Sequence, residues 1–545
     1  MNTTHPNIAA RFFATVDKYG DKPAVGMAGE DAYLTYSQLG IKVRECAAYL
    51  GRLKPLEPIG LLSENRPEWG KVYFAILAAG GKVIPVDSLL KENELVRVFS
   101  ESGMTRLFVS HKFLEIAERV ASKIDNPPDL INLETIPTDN TSGFEPAYSN
   151  NGDDPAVLIF TSGTTGKSKK VILTHNNLLS NIEGILRRMD FSQSDKFLSV
   201  LPLHHTFEAT CGLLTPLLNG CSVYYIKELN SREILGGMKK HKITIFIGVP
   251  LLFEKLYQGI LSGIKRAPFT KRALFGLLMN TAKTLYSLTG KNAGRKLFSG
   301  LRQKAGLDSL RLMVSGSAPI SVEIIKGFYL LGFNFIEGYG LTETSPVISA
   351  NPLDKPKFGS VGPVLDNVEV RIDSPNENGV GEIIVKGPIA TPGYEDNPEA
   401  TSELWKDGWL HTGDLGYLDD ENYLYICGRA KNLIVSAAGK NIYPEEIEAQ
   451  LMQSPYIQEV VVYGKISDAG REEVAALVYP NFELLEAELG KKPEDITDDE
   501  LKTNVGNDIR RLCADIADFK RVKHIRYTRE ELEKTSTKKI KRYVY

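Results

Sequence analysis

Apolar positions along the chain follow two periods. From Tyr36-Ser37-Gln38-Leu39 through Cys46-Ala47-Ala48-Tyr49-Leu50, and again from Trp69 to Ala79, they fall on one face of a helical wheel, which predicts two helices. Ile59-Gly60-Leu61-Leu62 and Lys82-Val83-Ile84-Pro85-Val86 are short apolar runs and are predicted as strands. Strands spaced by helices imply an α/β layer with parallel strands. The pattern recurs through 190–350, and the Asn-, Asp-, Ser-, Pro- and Gly-rich stretch near 132–153 predicts an exposed loop. From about 355 the texture changes to short strands and turns, as in Val368–Ile372 and Gly381–Val385, which predicts a small β subdomain. After Gly428 a compact unit begins. Pro444-Glu445-Glu446 opens a helix with residues suited to its positive end. Val460–Tyr463 and Ala475–Val478 read as strands, and 499–518 reads as helix. The expected fold class is α/β: a large N-terminal domain of layered α/β subdomains with a small β subdomain over 1–428, and a small mobile α+β domain over 429–545.

Composition narrows the class. With 545 residues, 42% hydrophobic and 24% charged, the chain is ordinary for a globular protein and too long for one small core. A net charge of −3 gives no global pull toward nucleic acid. Cys46, Cys211, Cys221, Cys427 and Cys513 are scattered and odd in number, which points to a reducing cytosol and away from a disulfide framework or zinc site. No basic-then-apolar leader opens the chain, and no apolar run approaches the roughly 20 residues that span a bilayer. The expected location is cytoplasmic, with one qualification. Between Lys255 and Lys304 there is no acidic residue, while Lys265, Arg266, Lys271, Arg272, Lys283, Lys291, Arg295, Lys296 and Arg302 alternate with Phe269, Leu274, Phe275, Leu277, Leu278, Leu285 and Leu288. Such a segment suits an anionic membrane surface; equally, it suits a helical hairpin whose charges face water.

The densest chemistry lies at Phe160-Thr161-Ser162-Gly163-Thr164-Thr165-Gly166-Lys167-Ser168-Lys169-Lys170. Two glycines let the backbone turn its N–H groups toward an anion, four hydroxyls add donors, and the lysines add charge. The strand-like Ala156–Phe160 precedes it and Val171–His175 reads as a second strand, so the stretch is a hairpin loop. A Walker A loop would carry Gly at Thr161 and lead into a helix, so that match is imperfect. Further on, Gly338-Tyr339-Gly340-Leu341-Thr342-Glu343-Thr344 offers a flat ring for a base, room for close approach and a carboxylate for a hard cation. Trp409-Leu410-His411-Thr412-Gly413-Asp414 places after a tight turn a carboxylate able to accept from two ribose hydroxyls. Each of these is also an ordinary turn when taken alone.

Taken together and in this order, the motifs resemble the adenylate-forming superfamily of acyl-CoA synthetases, firefly luciferase and peptide-synthetase adenylation domains. The resemblance covers nearly the whole chain, and long-chain fatty acid–CoA ligases are the most similar members. The chain departs from the family's loop at Phe160, at Ser168 (usually Pro) and at Lys170 (usually Gly), which predicts a less rigid and more cationic loop.

The resemblance implies roles. Thr161, Ser162, Gly163, Thr164, Thr165, Gly166 and Lys169 would hold the phosphates; Ser315-Gly316-Ser317-Ala318-Pro319 would pass beside adenine and acyl group. Tyr339 would stack on adenine with Gly338 and Gly340 allowing close approach, Thr342 would meet the α-phosphate, and Glu343 would hold Mg²⁺. In Pro202-Leu203-His204-His205-Thr206-Phe207-Glu208, His205 would stand near the acyl carboxylate. Asp414 and Arg429 would bind ribose, Lys431 would be the hinge, and Gly439 and Lys440 would line the pantetheine tunnel. In Lys534-Thr535-Ser536-Thr537-Lys538-Lys539-Ile540, Lys539 falls on the catalytic lysine, with Lys538 in place of the usual Gly. The implied reaction joins a fatty acid to ATP with release of pyrophosphate, then passes the acyl group to CoA with release of AMP. Acyl carrier protein stands as an alternative acceptor. A P-loop phosphotransferase and a non-catalytic adenylate-binding homologue stand as other readings.

Overall fold

The computed structural model describes residues 7–51, 53–136, 145–147, 151–161, 169–436, 439–467, 472–514, 516–534 and 540–545. The chain divides into two compact units. One is Met1–Ala318 with Val322–Glu369 and Val385–Leu410; the other is Pro319–Ser321 with Val370–Ile384 and His411–Tyr545.

The first unit contains strands β1 (Pro23–Met27), β2 (Tyr33–Thr35), β3 (Pro58–Leu62), β4 (Lys82–Pro85), β5 (Arg106–Val109), β6 (Asp129–Asn132) and β7 (Pro155–Thr161). It continues with β8 (Lys169–Thr174), β9 (Lys196–Ser199), β10 (Ser222–Tyr225), β11 (Ile245–Gly248), β12 (Leu312–Ser315), β13 (Phe335–Gly340) and β14 (Val347–Ala350). They make two mixed sheets, ordered β6-β5-β3-β4-β7-β8 and β14-β13-β12-β11-β9-β10-β1-β2. The interior pairings are parallel, while the edge strands β8, β14 and β2 run antiparallel to their neighbours. Parallel strands are covered on both faces, so they read as continuous apolar runs rather than alternations. Ile59, Leu61, Leu62, Val83 and Ile84 are accordingly buried.

Local chemistry sets the element ends. The predicted helix at 36–50 spans Tyr36–Leu50: Thr35 and Gln38 form a capping box at its start, and Gly51 closes it. The next helix spans Pro67–Ala78, with Pro67 in its first turn, where a missing N–H costs nothing. A π-helical turn, Glu208–Leu214, interrupts the segment after β9.

In the second unit, Ile457–Ile466 and Glu472–Pro480 form an antiparallel hairpin, and His524–Tyr527 adds parallel to its second strand. Helix Pro444–Leu451 packs there through Ile447 and Leu451, beside Val460, Val462 and Val478. The helix expected at 499–518 is broken: Asp498–Leu501 passes through a π turn, Lys502–Gly506, into Asn507–Leu512. Asn504 and Gly506 are poor helix formers, and the Asn504 amide bonds back to the Glu500 carbonyl (2.8 Å). Asp414, expected after a tight turn, sits within an extended strand, Trp409–Leu418, opposite Arg429 of the strand Leu424–Arg429.

Candidate active site

β7 and β8 flank the phosphate-loop sequence as an antiparallel pair with Thr161 opposite Lys169, so the segment is a hairpin, as the apolar pattern predicts. Thr161 Oγ1 donates to the Lys169 carbonyl (3.3 Å). Ser162, Gly163, Thr164, Thr165 and Gly166, with Lys167 and Ser168, lie outside the described residues, as does Lys539. The Lys169 ammonium stands over the Tyr394 ring, 4.6 Å from its centroid. Lys170 does not make the loop more cationic: its ammonium pairs with Asp396 (2.6 Å) and Glu395 (3.5 Å), which neutralise it.

The Gly338–Gly340 segment is not a turn but the end of β13. It pairs with β14 through Gly338–Ala350, Tyr339–Ser349 and Gly340–Val347. A methyl at Gly340 would lie 1.7 Å from the Pro346 carbonyl oxygen, so only glycine fits; at Gly338 the nearest atom would be 3.4 Å away. Thr342–Thr344 forms one 3₁₀ turn. Thr344 fastens it by donating to the Pro346 carbonyl (2.7 Å) and accepting from the Leu341 N–H (3.0 Å). The buried Asn181, on helix His175–Arg188, holds the same turn from below, donating to the Val347 (2.7 Å) and Thr344 (3.2 Å) carbonyls and accepting from the Val347 N–H (3.3 Å). One turn earlier Asn177 donates to the carbonyls of Pro388 (2.8 Å) and Ala390 (3.0 Å). That second segment reaches Glu343 twice: the Thr391 N–H donates to its carbonyl (2.8 Å), and Tyr394 Oη donates to its carboxylate Oε1 (2.8 Å). Glu343 therefore presents an oriented, half-buried oxygen donor, the ligand type a hard divalent cation takes.

β12 delivers Ser315 into the Gly316-Ser317-Ala318 turn, where Ser317 adopts a left-handed φ of +72°. A methyl at Gly316 would stand 2.8 Å from the Phe207 ring. These two motifs share a narrow cavity of about 60 Å³: Gly316, Ser317, Gly338, Tyr339 and Gly340 line one part. Apolar side chains line the rest, among them Phe207, Cys211, Ile185, Ile245, Ile247 and Val314.

The two histidines divide their tasks. His204 is buried, its Nε2 3.0 Å from Asp87 Oδ1 but out of line for a hydrogen bond, while His205 is only half-buried. Their rings lie 4.2 Å apart. Among the described residues, Asp87, His204 and His205 bring ligand atoms within 4.8 Å of one another, a donor set able to hold a metal ion. In the π turn, Glu208 is fully buried, and burial pushes its carboxyl up to about 8. Oε1 accepts from Ser199 Oγ (2.6 Å), and Oε2 meets no donor among the described residues.

In the second unit, Arg429 Nη1 donates to Asp414 Oδ1 (2.8 Å), and Asp414 is buried. The Asp414 N–H donates to Thr412 Oγ1 (3.0 Å), itself fixed to the Ile383 carbonyl (2.7 Å). Lys431 is exposed on a 3₁₀ turn, Ala430–Asn432. Gly439 has a left-handed φ of +71° and, with Lys440, is exposed on a turn closed by Ser436.

Sequence reasoning missed Asn177, Asn181, Tyr394, Asp87 and Glu208. Apart from Glu208, whose partner Ser199 is nine residues away, their contacts reach far along the chain, 163 residues from Asn181 to Thr344 and 51 from Glu343 to Tyr394.

Residues 12–395 match the AMP-binding enzyme family, and residues 446–539 match the AMP-binding enzyme C-terminal domain. The chain therefore belongs to the AMP-binding enzymes, and its class of chemistry is adenylate formation. Among its relatives, a long-chain-fatty-acid–CoA ligase of Escherichia coli O6:H1 is 29% identical, covering 94% of this chain and 95% of that protein. A feruloyl-CoA synthase of Amycolatopsis sp. is 28% identical, covering 82% and 84%. Of solved structures, ATP-bound MatB from Rhodopseudomonas palustris shares the fold with a TM-score of 0.78 at 24% identity, covering 99% of this chain and 98% of MatB. The O-succinylbenzoate Coenzyme A synthetase of Bacillus subtilis, in complex with ATP and magnesium, shares it with a TM-score of 0.75 at 22% identity and 98% coverage of both chains.

Proposed function

We propose that this adenylate-forming enzyme is a long-chain fatty acid–CoA ligase. The observation that carries the proposal is the cavity in which Gly316-Ser317 and Gly338-Tyr339-Gly340 meet a wall of Phe207, Ile185, Ile245, Ile247 and Val314. An apolar wall beside backbone and hydroxyl groups suits an acid whose carboxylate reacts next to an apolar group. Full-length relatives acting on long-chain fatty acids support the same reading.

The reaction has two halves. In the first, the fatty carboxylate attacks the α-phosphorus of ATP and pyrophosphate leaves. Both partners are anions, so cationic and hydrogen-bonding groups must offset their repulsion. Thr342, the hydroxyls and N–H groups of 161–166, Lys169 and Lys539 are the groups proposed to do so, and His205 to orient the carboxylate. Glu343, held by Tyr394, would carry Mg²⁺, which neutralises phosphate charge when bound. Tyr339 would stack the adenine, and the Asp414–Arg429 pair would take the ribose hydroxyls. In the second half, CoA sulfur attacks the acyl carbon and AMP leaves. Lys431 is proposed as the hinge between a 1–428 domain and a 429–545 domain, exchanging Lys539 for the Gly439-Lys440 turn.

Thioester formation measured across acids from short to long, with CoA and with acyl carrier protein, tests the assignment. The highest kcat/KM is expected with long-chain acids and CoA. A preference for an aromatic acid such as ferulate would sink the fatty-acid reading, and transfer to carrier protein alone would sink the CoA reading.

A further inference from the structure

Helix Phe269–Thr289 has 21 residues, of which only Ala282 is buried. One side of it is seated on the body of the first unit. Phe275 packs on Phe298 with ring centroids 5.5 Å apart, and Tyr286 packs on Tyr329 at 5.3 Å. The return segment is fixed closely: a methyl at Gly294 would lie 2.0 Å from the Leu330 carbonyl oxygen, and buried Arg302 donates to the Gly332 (2.8 Å) and Leu310 (3.3 Å) carbonyls. The hairpin is thus held at its foot.

The opposite side is seated on nothing among the described residues. Leu274, Leu277, Leu285 and Leu288 are exposed, the last at 77%, and at 3.6 residues per turn they share an arc of roughly 80°. Phe269, at the helix start, is 75% exposed. Beyond the helix end an open concavity of about 390 Å³ is lined by Leu285, Thr289, Lys291, Asn292, Arg295 and Lys296. Eleven Lys and Arg and no acidic residue occupy 255–304.

Two demands follow from this surface. The leucine stripe needs an apolar partner, and the cations need an anionic one. A second copy of the same face would bring like charges together with no acid in the segment to meet them. An anionic lipid surface meets both demands at once, apolar beneath and negative above. Among the described residues no helix is long and apolar enough to cross a membrane, so the contact is one of lying on the surface.

We propose that this hairpin docks the enzyme on an anionic phospholipid bilayer. The four leucines enter the acyl boundary, and Lys291, Arg295 and Lys296 receive headgroup phosphates in the concavity. The hairpin's first helix, Pro250–Lys265, leaves directly from β11, whose Ile245 and Ile247 line the acyl cavity. Docking there would bring the cavity's own strand toward the phase that dissolves a long-chain acid; this last link rests on the fatty-acid reading, whereas the docking does not.

The test is co-sedimentation of the full chain with vesicles of phosphatidylcholine alone or mixed with phosphatidylglycerol. Partition onto the mixed vesicles at low salt is expected, falling roughly ten-fold at high salt. Leu277→Ser/Leu288→Ser and Lys291→Glu/Lys296→Glu are each expected to lower it roughly ten-fold, with melting curves and turnover of a water-soluble short-chain acid unchanged. Absence of partition, or partition of both variants equal to that of the unaltered protein, overturns the proposal. So does a dimer in sedimentation velocity that the leucine variant abolishes, which would assign the face to a second copy. Competition by inorganic phosphate with no effect of the leucine variant would leave only a free-phosphate site and overturn it too. An inactive ligase that still partitions would overturn the functional reading and leave the docking intact.

Discussion

Glu208 carries a large electrostatic consequence beside the cavity. Its carboxyl titrates near 8 in the folded chain because burial disfavours the charge, with only Ser199 opposing. A raised acid pKa means the folded state holds a proton that the unfolded state has lost. Stability from this group is therefore full below pH 4.5 and declines as pH rises to about 8. Glu208→Gln keeps an acceptor for Ser199 and removes the titration. Its urea midpoint is expected to fall less steeply across pH 5–8 than that of the unaltered protein; the same slope in both would remove Glu208 as a contributor. The glycines of β13 make a second residue-scale contrast. Gly340→Ala, whose methyl would overlap the Pro346 carbonyl, is expected to cost more than about 2 kcal/mol and most activity. Gly338→Ala, with 3.4 Å of room, is expected to cost less than about 1 kcal/mol. Equal melting shifts for the two would contradict the close approach at Gly340. The sequence offered both glycines as equivalents, since each stands in the same Gly-Tyr-Gly motif; only the strand pairing separates them.

At the scale of elements, helix His175–Arg188 supports the segments to which the proposed chemistry is assigned. Asn177 and Asn181, one turn apart, hold the segments that carry Thr342, Glu343 and Tyr394. Asn181→Ala would leave two carbonyls and one N–H of that turn unmet in a buried place, at about 1–3 kcal/mol each before relaxation. A drop in kcat of at least ten-fold is expected, together with a lower melting temperature. Unchanged kinetics in a destabilised variant would show that the helix supports the fold and not the turn's geometry. The hairpin around the phosphate loop was legible beforehand, because two apolar runs of β7 and β8 bracket a polar turn. The clamp from below was not: an asparagine inside an amphipathic helix looks the same whether it faces water or a distant strand.

For the whole molecule, the proposed exchange of site walls predicts separable half-reactions. Lys539→Ala is expected to abolish ATP–pyrophosphate exchange while thioester formation from supplied acyl-adenylate continues. Pyrophosphate exchange at the unaltered rate would remove Lys539 from the first step. Two domains were expected, divided at 428/429, from the compact unit that begins after Gly428, whereas 411–428 group with the C-terminal unit. The path of the boundary was not legible, since Val370–Ile384 and Pro319–Ser321 group with the C-terminal unit and Val385–Leu410 with the first. The sequence by itself determined the class of chemistry, the strands and the order of motifs, for these depend on near neighbours: apolar period, caps, glycine spacing and the residue types that meet phosphate. Tertiary structure alone decided that Lys170 is neutralised by Asp396, that Tyr394 orients Glu343, that Glu208 is buried as an acid, and which side chains wall the cavity beside Gly316 and Tyr339. Those outcomes depend on burial and on partners brought together from far along the chain, and a burial energy has no local signature in the residues that bear it.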